Sequence, residues 1–337
     1  MASRVRGWWA GVFLLPVAAI TACGGAVTGD GATLGSEGSS SSRFSSASSA
    51  SHGGDEGPIL SGFSDAGTAS AAIGPCSAAS QLVYVLSSDG EIYSFDPPTK
   101  VFTDIATIQC PSGNAVPNSM AVDRQGNAWV NYVYNDAQGE NVAGAVFKVA
   151  IATGSCEVTN IVLPAGWLHI GMGFSSASAT DSTDTLYVAG DDLTGTCSDA
   201  VGSSLGLGSI DTIAGTLSPI GPFSGGLLRQ GAELTGTGDG RLFGFFDLSV
   251  AEVAQIDKVS GATSPPISMT GVPCPWDFAF SFWGGDFYLY TSRENSNSSV
   301  THYTSADGGI DPNYVPDTGF SIVGAGVSTC APTAQPR

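Results

Sequence analysis

Hydrophobic and polar positions divide the chain into three stretches. Residues 1–22 contain a short apolar run, residues 23–75 are rich in Gly and Ser without a periodic apolar pattern, and residues 76–337 alternate short apolar runs with turns of Gly, Asp, Pro and Ser. Runs rich in Val, Ile, Tyr and Phe between such turns are typical of β-strands, and no stretch has the 3.6-residue period of an amphipathic helix. The pattern predicts an all-β domain behind a flexible N-terminal region.

The apolar runs recur as a unit of about 50 residues. The aromatic-rich strand of this unit occurs five times, at residues 82–88, 128–134, 185–191, 241–247 and 286–292. An inner strand precedes most copies, a strand ending in an Asp-x-x-(Thr/Ser)-Gly type of turn follows each, and we expect a fourth strand, such as 159–163. Four strands per unit predict a five-bladed β-propeller. A six-bladed ring with a degenerate blade in 177–204 and a two-sheet sandwich are the alternatives.

The first repeat lacks an inner strand, and the end of the chain has a spare one. Residues 320–329 share the inner-strand pattern, so we expect them to pair with residues 82–88 and close the ring. Closure removes sheet edges on which other chains could pair.

Six cysteines follow the N-terminal region, which agrees with export to an oxidising compartment. Topology places Cys76 and Cys330 at one inner turn, so we expect them to form a disulfide. We also expect Cys110–Cys156, from neighbouring segments of the first two blades, and Cys197–Cys274 as the remaining pair. No C-x-x-C motif occurs and no His lies near a Cys, so we expect no metal site.

The N-terminal stretch resembles the signal peptide of bacterial lipoproteins. Two arginines precede an apolar run that is too short for a comfortable membrane span. The run ends in Ile20-Thr21-Ala22-Cys23, which resembles a lipobox. The resemblance implies that residues 1–22 are removed, that Cys23 is lipidated, and that Gly24 in place of Asp directs the protein to the outer membrane. Residues 23–75 would then be a lipid-anchored tether. An ordinary signal peptide with an incidental Cys and a transmembrane anchor are the alternatives.

Charge narrows the classes of partner. The chain has 30 acidic residues against 11 Lys and Arg, for a formal net charge of −19. Binding of a polyanion requires a basic face, so we expect no nucleic acid partner. We expect a monomer without a cofactor, attached to the membrane through its N-terminal lipid, with an unknown protein, small ligand or glycan as partner.

Several segments resemble known propellers. SMAVDRQGNAWV, residues 119–130, is similar to the inner hairpin of NHL-type repeats, and the blades resemble those of NHL and quinoprotein-type propellers. Residues 232–246, 279–291 and 322–333 resemble propeller lipoproteins of Gram-negative bacteria. These resemblances imply a fold and a cell-envelope location, and they imply no activity. The metal ligands of lactonase-type propellers and the tryptophan motif of quinoprotein dehydrogenases have no recognisable counterpart.

Propellers bind ligands where loops enter the inner strands. These entry positions hold five candidate ligand or catalytic residues: Asn118, His169, Glu233, Trp276 and Asp277. Glu233 and Asp277 fall at equivalent positions in adjacent blades, so they could act as acid and base, with His169 as proton shuttle. Trp276 offers an aromatic face. The alternative interpretation is that these polar groups only line the channel.

From these features we predict an exported ligand- or protein-binding scaffold of the cell envelope. A hydrolase or lyase, acting for example on a carbohydrate through Glu233, Asp277 and His169, is the alternative. Two other motifs are interpreted as structural: Gly171-Met172-Gly173 as a hairpin turn, and His302 as a surface residue of a third strand without a visible partner.

Overall fold

Five separate four-stranded antiparallel sheets make up the described part of the chain. A computed structural model describes residues 76–137, 141–190, 202–272 and 275–336. Residues 1–75, which include Cys23 and the expected signal peptide and tether, lie outside the described residues, as do Cys197 and Cys274. The expected lipidation and the Cys197–Cys274 pairing therefore stay predictions.

Each sheet is one blade, and the strands are numbered in chain order. Blade 1 contains β1 (Val83–Ser87), β2 (Glu91–Asp96), β3 (Val101–Thr107) and β20 (Ile322–Val327). Blade 2 contains β4 (Val116–Val122), β5 (Asn127–Asn135), β6 (Asn141–Ala150) and β7 (Ser155–Val158). Blade 3 contains β8 (Ile170–Ser178), β9 (Asp181–Gly190), β10 (Gly206–Asp211) and β11 (Thr216–Gly221). Blade 4 contains β12 (Glu233–Gly236), β13 (Leu242–Phe246), β14 (Glu252–Gln255) and β15 (Ile267–Ser268). Blade 5 contains β16 (Asp277–Trp283), β17 (Asp286–Ser292), β18 (Ser299–Thr304) and β19 (Gly309–Val315).

The helical content of these residues is two 3₁₀ turns, Ala79–Gln81 and Gly225–Leu227. No helix in the described ranges has the length and apolar character needed to cross a membrane.

The five blades form the expected ring. The inner strands β20, β4, β8, β12 and β16 contact one another in that order, and β16 contacts β20. The last strand of the chain completes blade 1 as expected: β20 pairs antiparallel with β1, with Val83 opposite Val327 and Ser87 opposite Ile322. The sequence therefore predicted both the blade number and the closure.

Two local predictions were wrong. The fourth strand of blade 2 is β7, not residues 159–163, because pairing with β6 resumes directly after the turn at Gly154. The strand ends before Thr159, whose side-chain hydroxyl donates to the Val146 carbonyl at 2.5 Å.

Gly171-Met172-Gly173 is not a hairpin turn but part of the inner strand β8. A Cβ on Gly171 would collide with the Ala232 carbonyl oxygen of blade 4, so glycine there lets two inner strands approach closely.

Apolar side chains fill the spaces between blades. Inner and second strands alternate their side chains between the two neighbouring blades, which explains why both faces of each strand are buried. Trp129 of blade 2 and Phe174 of blade 3 pack edge to face, with ring centroids 6.3 Å apart. Between blades 4 and 5, Phe243 packs on Phe287 at 4.8 Å. This packing holds the inner strands in the register that places the candidate site residues.

Two of the three expected disulfides lie in the described residues, and both are present. Cys76 and Cys330 are bonded, with Cα atoms 5.6 Å apart, beside the end of the closing strand. Cys110 and Cys156 link blades 1 and 2, with Cα atoms 5.0 Å apart.

Candidate functional site

The predicted site residues gather at one end of the ring, which we call the entry end because the five inner strands begin there. Asn118 lies in β4, His169 directly precedes β8, and Glu233 and Asp277 are the first residues of β12 and β16. Repeat register alone thus placed these side chains at one end. Their hydrogen-bond partners decide what they do there.

Glu233 is buried and bonds across the ring. Its Oε2 accepts a hydrogen bond of 2.8 Å from the hydroxyl of Ser119, which lies in β4 of blade 2. Blades 2 and 4 are not neighbours, so this bond passes the inner strand of blade 3. Glu233 is 4% exposed and Ser119 is fully buried, so solvent hardly reaches the carboxylate. The contact ties blades 2 and 4 together at the entry end.

Asp277 has a similar role at the junction of blades 5 and 1. Its Oδ2 accepts 2.8 Å and 3.0 Å hydrogen bonds from the hydroxyls of Ser321 and Ser292. Ser321 directly precedes the closing strand β20, and Ser292 ends β17. The carboxylate therefore holds the closing strand to its neighbour, and both of its donors are serine hydroxyls.

Asn118 joins blades 2 and 3. Its side-chain amide donates to Asn131 Oδ1 at 3.0 Å and to the Ile170 carbonyl at 3.1 Å. His169, the residue before Ile170, is half-buried, whereas Trp276 is 55% exposed. Of the five candidates, only Trp276 presents a large surface to solvent.

The opposite end of the ring, where the inner strands finish, carries an ion pair that the sequence reasoning missed. Arg124 Nε lies 3.0 Å from Asp184 Oδ2, and both side chains are largely buried. The Arg124 guanidinium also donates to the Ser176 hydroxyl, and the Thr329 hydroxyl donates to Asp184 at 2.7 Å. Blades 1, 2 and 3 are therefore linked at this end, which we call the exit end.

A cleft of about 270 Å³ opens beside this ion pair, between blades 2 and 3. Trp129 and Phe174 form its apolar wall, and Lys148 lies over the Trp129 ring with Nζ 5.4 Å from the centroid. Asp123 accepts a 3.1 Å hydrogen bond from the Trp129 indole N–H. The NHL-like segment at 119–130 is the feature of the sequence that could have pointed to this cleft, because its hairpin contains Asp123 and Trp129.

His302 has a partner, contrary to the sequence-based interpretation. Its Nε2 lies 3.1 Å from Asp286 Oδ2, and the side chain is only 18% exposed. The ring stacks on Tyr288 at 4.9 Å. The strand pattern wrongly predicted that His302 is exposed, because residues of β19 cover β18. One of them is Tyr314, whose ring centroid lies 4.7 Å from that of His302.

In the described ranges no group of three or more His, Cys, Asp or Glu side chains is placed to hold a metal ion.

Comparisons with known proteins give only distant likenesses to solved structures. No family model matches the chain, and no curated protein matches it. Among solved structures, TolB from Acinetobacter baumannii is 15% identical with a TM-score of 0.37, over 68% of this chain and 51% of that one. The calcium-binding protein regucalcin from Agrobacterium tumefaciens is 16% identical, with a TM-score of 0.39 over 65% and 67% of the two chains. A gluconolactonase from Xanthomonas campestris is 13% identical, with a TM-score of 0.38 over 62% and 68%.

This chain spans about half the length of the TolB structure it matches. Likeness at these scores supports no inference about activity, so the fold rests on the strand pairing described above and the function on the residues themselves.

Proposed function

We propose that this protein is a non-catalytic binding propeller, displayed on the cell envelope by a lipid on Cys23. The observation that carries this proposal is the bonding of the two candidate catalytic carboxylates. Glu233 accepts from Ser119 and Asp277 accepts from Ser292 and Ser321, so both are engaged in joining blades. A general acid or base needs a carboxyl group that can reach a substrate proton. These contacts favour a structural role, which leaves the propeller as a rigid frame for binding.

The test combines turnover with thermal melting. Asp277→Ala removes the acceptor shared by two serine hydroxyls, so the binding proposal expects a lower melting temperature. It also expects the purified chain to hydrolyse no glycoside, lactone or ester in a broad panel. Turnover that Asp277→Asn abolishes without changing the melting temperature would contradict it.

One observation favours a second candidate, a hydrolase or lyase. Glu233 and Asp277 occupy the same position, the first residue, of neighbouring inner strands. Paired carboxyl groups of this kind supply acid and base in glycosidases when they lie about 5–10 Å apart around an open site. In that case Glu233→Gln and Asp277→Asn would each abolish turnover, while Ser119→Ala would only lower stability.

Envelope anchoring is tested separately. Replacing Cys23 with Ser removes the atom that would carry lipid, so the protein should move from the membrane fraction to the soluble fraction or accumulate as uncleaved precursor. Unchanged membrane association of this variant, with processing as in the parent, would rule out lipidation while leaving the binding role intact.

A further inference from the structure

We propose that the cleft between blades 2 and 3 binds a small organic anion, the size of one sugar, whose carboxylate is held by Lys148. This inference rests on the proposed binding function and names its site and ligand class.

Lys148 forms no ion pair within 4.0 Å in the described part of the chain, although Glu157 stands directly opposite it on the neighbouring strand β7. Its place is fixed by pairing of β6 with β5, in which Lys148 stands opposite Trp129. Its ammonium contacts the Trp129 ring, and in the described residues no carboxylate oxygen lies within 4.0 Å of it and no acceptor bonds to it. The side chain is half-buried, so part of its hydration shell is replaced by an aromatic face alone. An anion entering the cleft would supply the missing acceptor.

The other charged groups of the cleft already have hydrogen-bond partners within the protein. Asp123 accepts hydrogen bonds from the backbone N–H groups of Gln125 and Asn127 at 3.0 Å and 2.9 Å, besides the indole of Trp129. Arg124 and Asp184 are bonded to each other. Lys148 is therefore the charge in this cleft that a ligand can satisfy.

Two neutral side chains complete the binding surface. Thr212 and Gln125 line the cleft, and their side chains make no hydrogen bond to any described residue. A hydroxyl and an amide can each donate or accept, so they suit the hydroxyl groups of a sugar. The cleft volume of about 270 Å³ lies below the roughly 300–1,000 Å³ of pockets for drug-sized ligands, so a ligand of one sugar ring is the appropriate size.

The net charge of −19 agrees with a small anion and not with a polyanion. At physiological salt, charges more than about 8 Å apart are largely screened, so the acidic surface away from the cleft opposes a single carboxylate only weakly. A chain of phosphates or sulfates would extend over acidic surface and be repelled.

Isothermal titration calorimetry of the purified full chain tests the site, with D-glucuronate as probe and D-glucose as the matched neutral sugar. Glucuronate should bind and glucose should not. Lys148→Gln should weaken glucuronate binding about tenfold or more, because it removes a charge-assisted hydrogen bond. Lys148→Arg should retain most of it. Arg293→Gln, which removes an exposed cation in the turn between β17 and β18, should bind as the parent does.

Melting curves of each variant establish that the fold is intact before titration. The proposal is overturned if glucuronate fails to bind, if glucose binds equally well, or if Lys148→Gln binds as the parent does. If the chain binds an envelope glycan or protein and the Lys148→Gln variant binds that partner as well as the parent does, the proposed cleft site is wrong but the general binding role stands.

Discussion

At the scale of single residues, polar side chains of the inner strands act as links between blades. Ser119 with Glu233 and Ser321 with Asp277 both join a neutral hydroxyl to a carboxylate of a different blade. A buried carboxylate that loses a donor bears the cost of its own desolvation, about 1–3 kcal/mol. These serines therefore matter for stability although neither is ionisable.

Ser119→Ala should lower the free energy of unfolding by about 1–3 kcal/mol, because the Glu233 carboxylate keeps its burial and loses one donor. For a domain of this size that corresponds to a fall in melting temperature of roughly 2–4 °C per kcal/mol. Ser296→Ala is the control, since Ser296 is exposed and its hydroxyl lies 3.5 Å from the Glu294 carbonyl. Equal melting temperatures for the two variants would show that the cross-ring bond contributes nothing.

The positions of the two carboxylates could be predicted from the sequence, whereas their hydrogen-bond partners could not. Repeat register placed Glu233 and Asp277 at the start of inner strands, because that depends only on the repeating pattern. Ser119 is 114 positions from Glu233, and Arg124 is 60 positions from Asp184. Whether such distant residues meet depends on the angle between blades, and no local sequence pattern specifies that angle.

At the scale of elements, the turn between the third and fourth strands is a repeated joint between blades. Asp257 accepts from the backbone N–H groups of Val259 and Ser260, and Gly261 follows with a φ of 77°. A Cβ on Gly261 would meet the Gly221 carbonyl oxygen at the end of blade 3. In this turn Asp accepts the backbone N–H groups and Gly supplies the positive φ, and glycine also allows close contact with the preceding blade.

Gly261→Ala should therefore cost more than Gly308→Ala, its counterpart in blade 5. Both glycines have positive φ, at 77° and 76°, so both variants strain the backbone by about 1–2 kcal/mol. A Cβ on Gly308 meets nothing within 4 Å, whereas Gly261 faces the Gly221 carbonyl. Chemical denaturation of the two variants isolates the contact between blades, and equal losses of stability would contradict its importance.

The aspartates of these turns make the stability of the fold depend on pH. The hydroxyl and backbone N–H of Ser260 hold the pKa of Asp257 below its ordinary value, and the N–H groups of Ala214 and Ile213 do so for Asp211. Because the folded-state pKa is depressed, this stabilisation is present above about pH 4 and is lost as pH falls through the folded pKa.

Melting temperature should therefore fall as pH is lowered below about 4. Asp257→Asn keeps an acceptor oxygen but cannot titrate, so its melting temperature should fall less over the same range. A fall identical to that of the parent would show that this turn does not contribute to the acid dependence.

At the scale of the whole molecule, the ring is closed by a strand, a disulfide and a carboxylate. The sequence predicted the strand and the disulfide, because the first repeat lacked what the chain end supplied. It did not predict that Asp277 binds Ser321 beside the closing strand. The repeats show that the first blade lacks an inner strand. The side chains that hold the closing strand in place can be seen only in the packed structure.

Removing each described disulfide should have unequal effects. The chain-entropy model gives about 5.5 kcal/mol for the Cys76–Cys330 loop, whose ends are 254 positions apart, and about 4 kcal/mol for Cys110–Cys156, at 46 positions. The double variant Cys76→Ser, Cys330→Ser should therefore unfold at lower denaturant than Cys110→Ser, Cys156→Ser. The reverse order would indicate that closure depends little on this crosslink.

Ring closure is the feature on which both proposed roles depend, and the thermal melt of a C-terminal truncation tests it most directly. Deleting residues 320–337 removes β20, Cys330 and the Ser321 contact with Asp277, so the remaining chain should melt far below the parent or fail to fold. Deleting residues 24–75, which contain no periodic apolar pattern, is the control and should leave the melting temperature nearly unchanged. A truncation at 320 that melts like the parent would contradict the closed five-bladed ring.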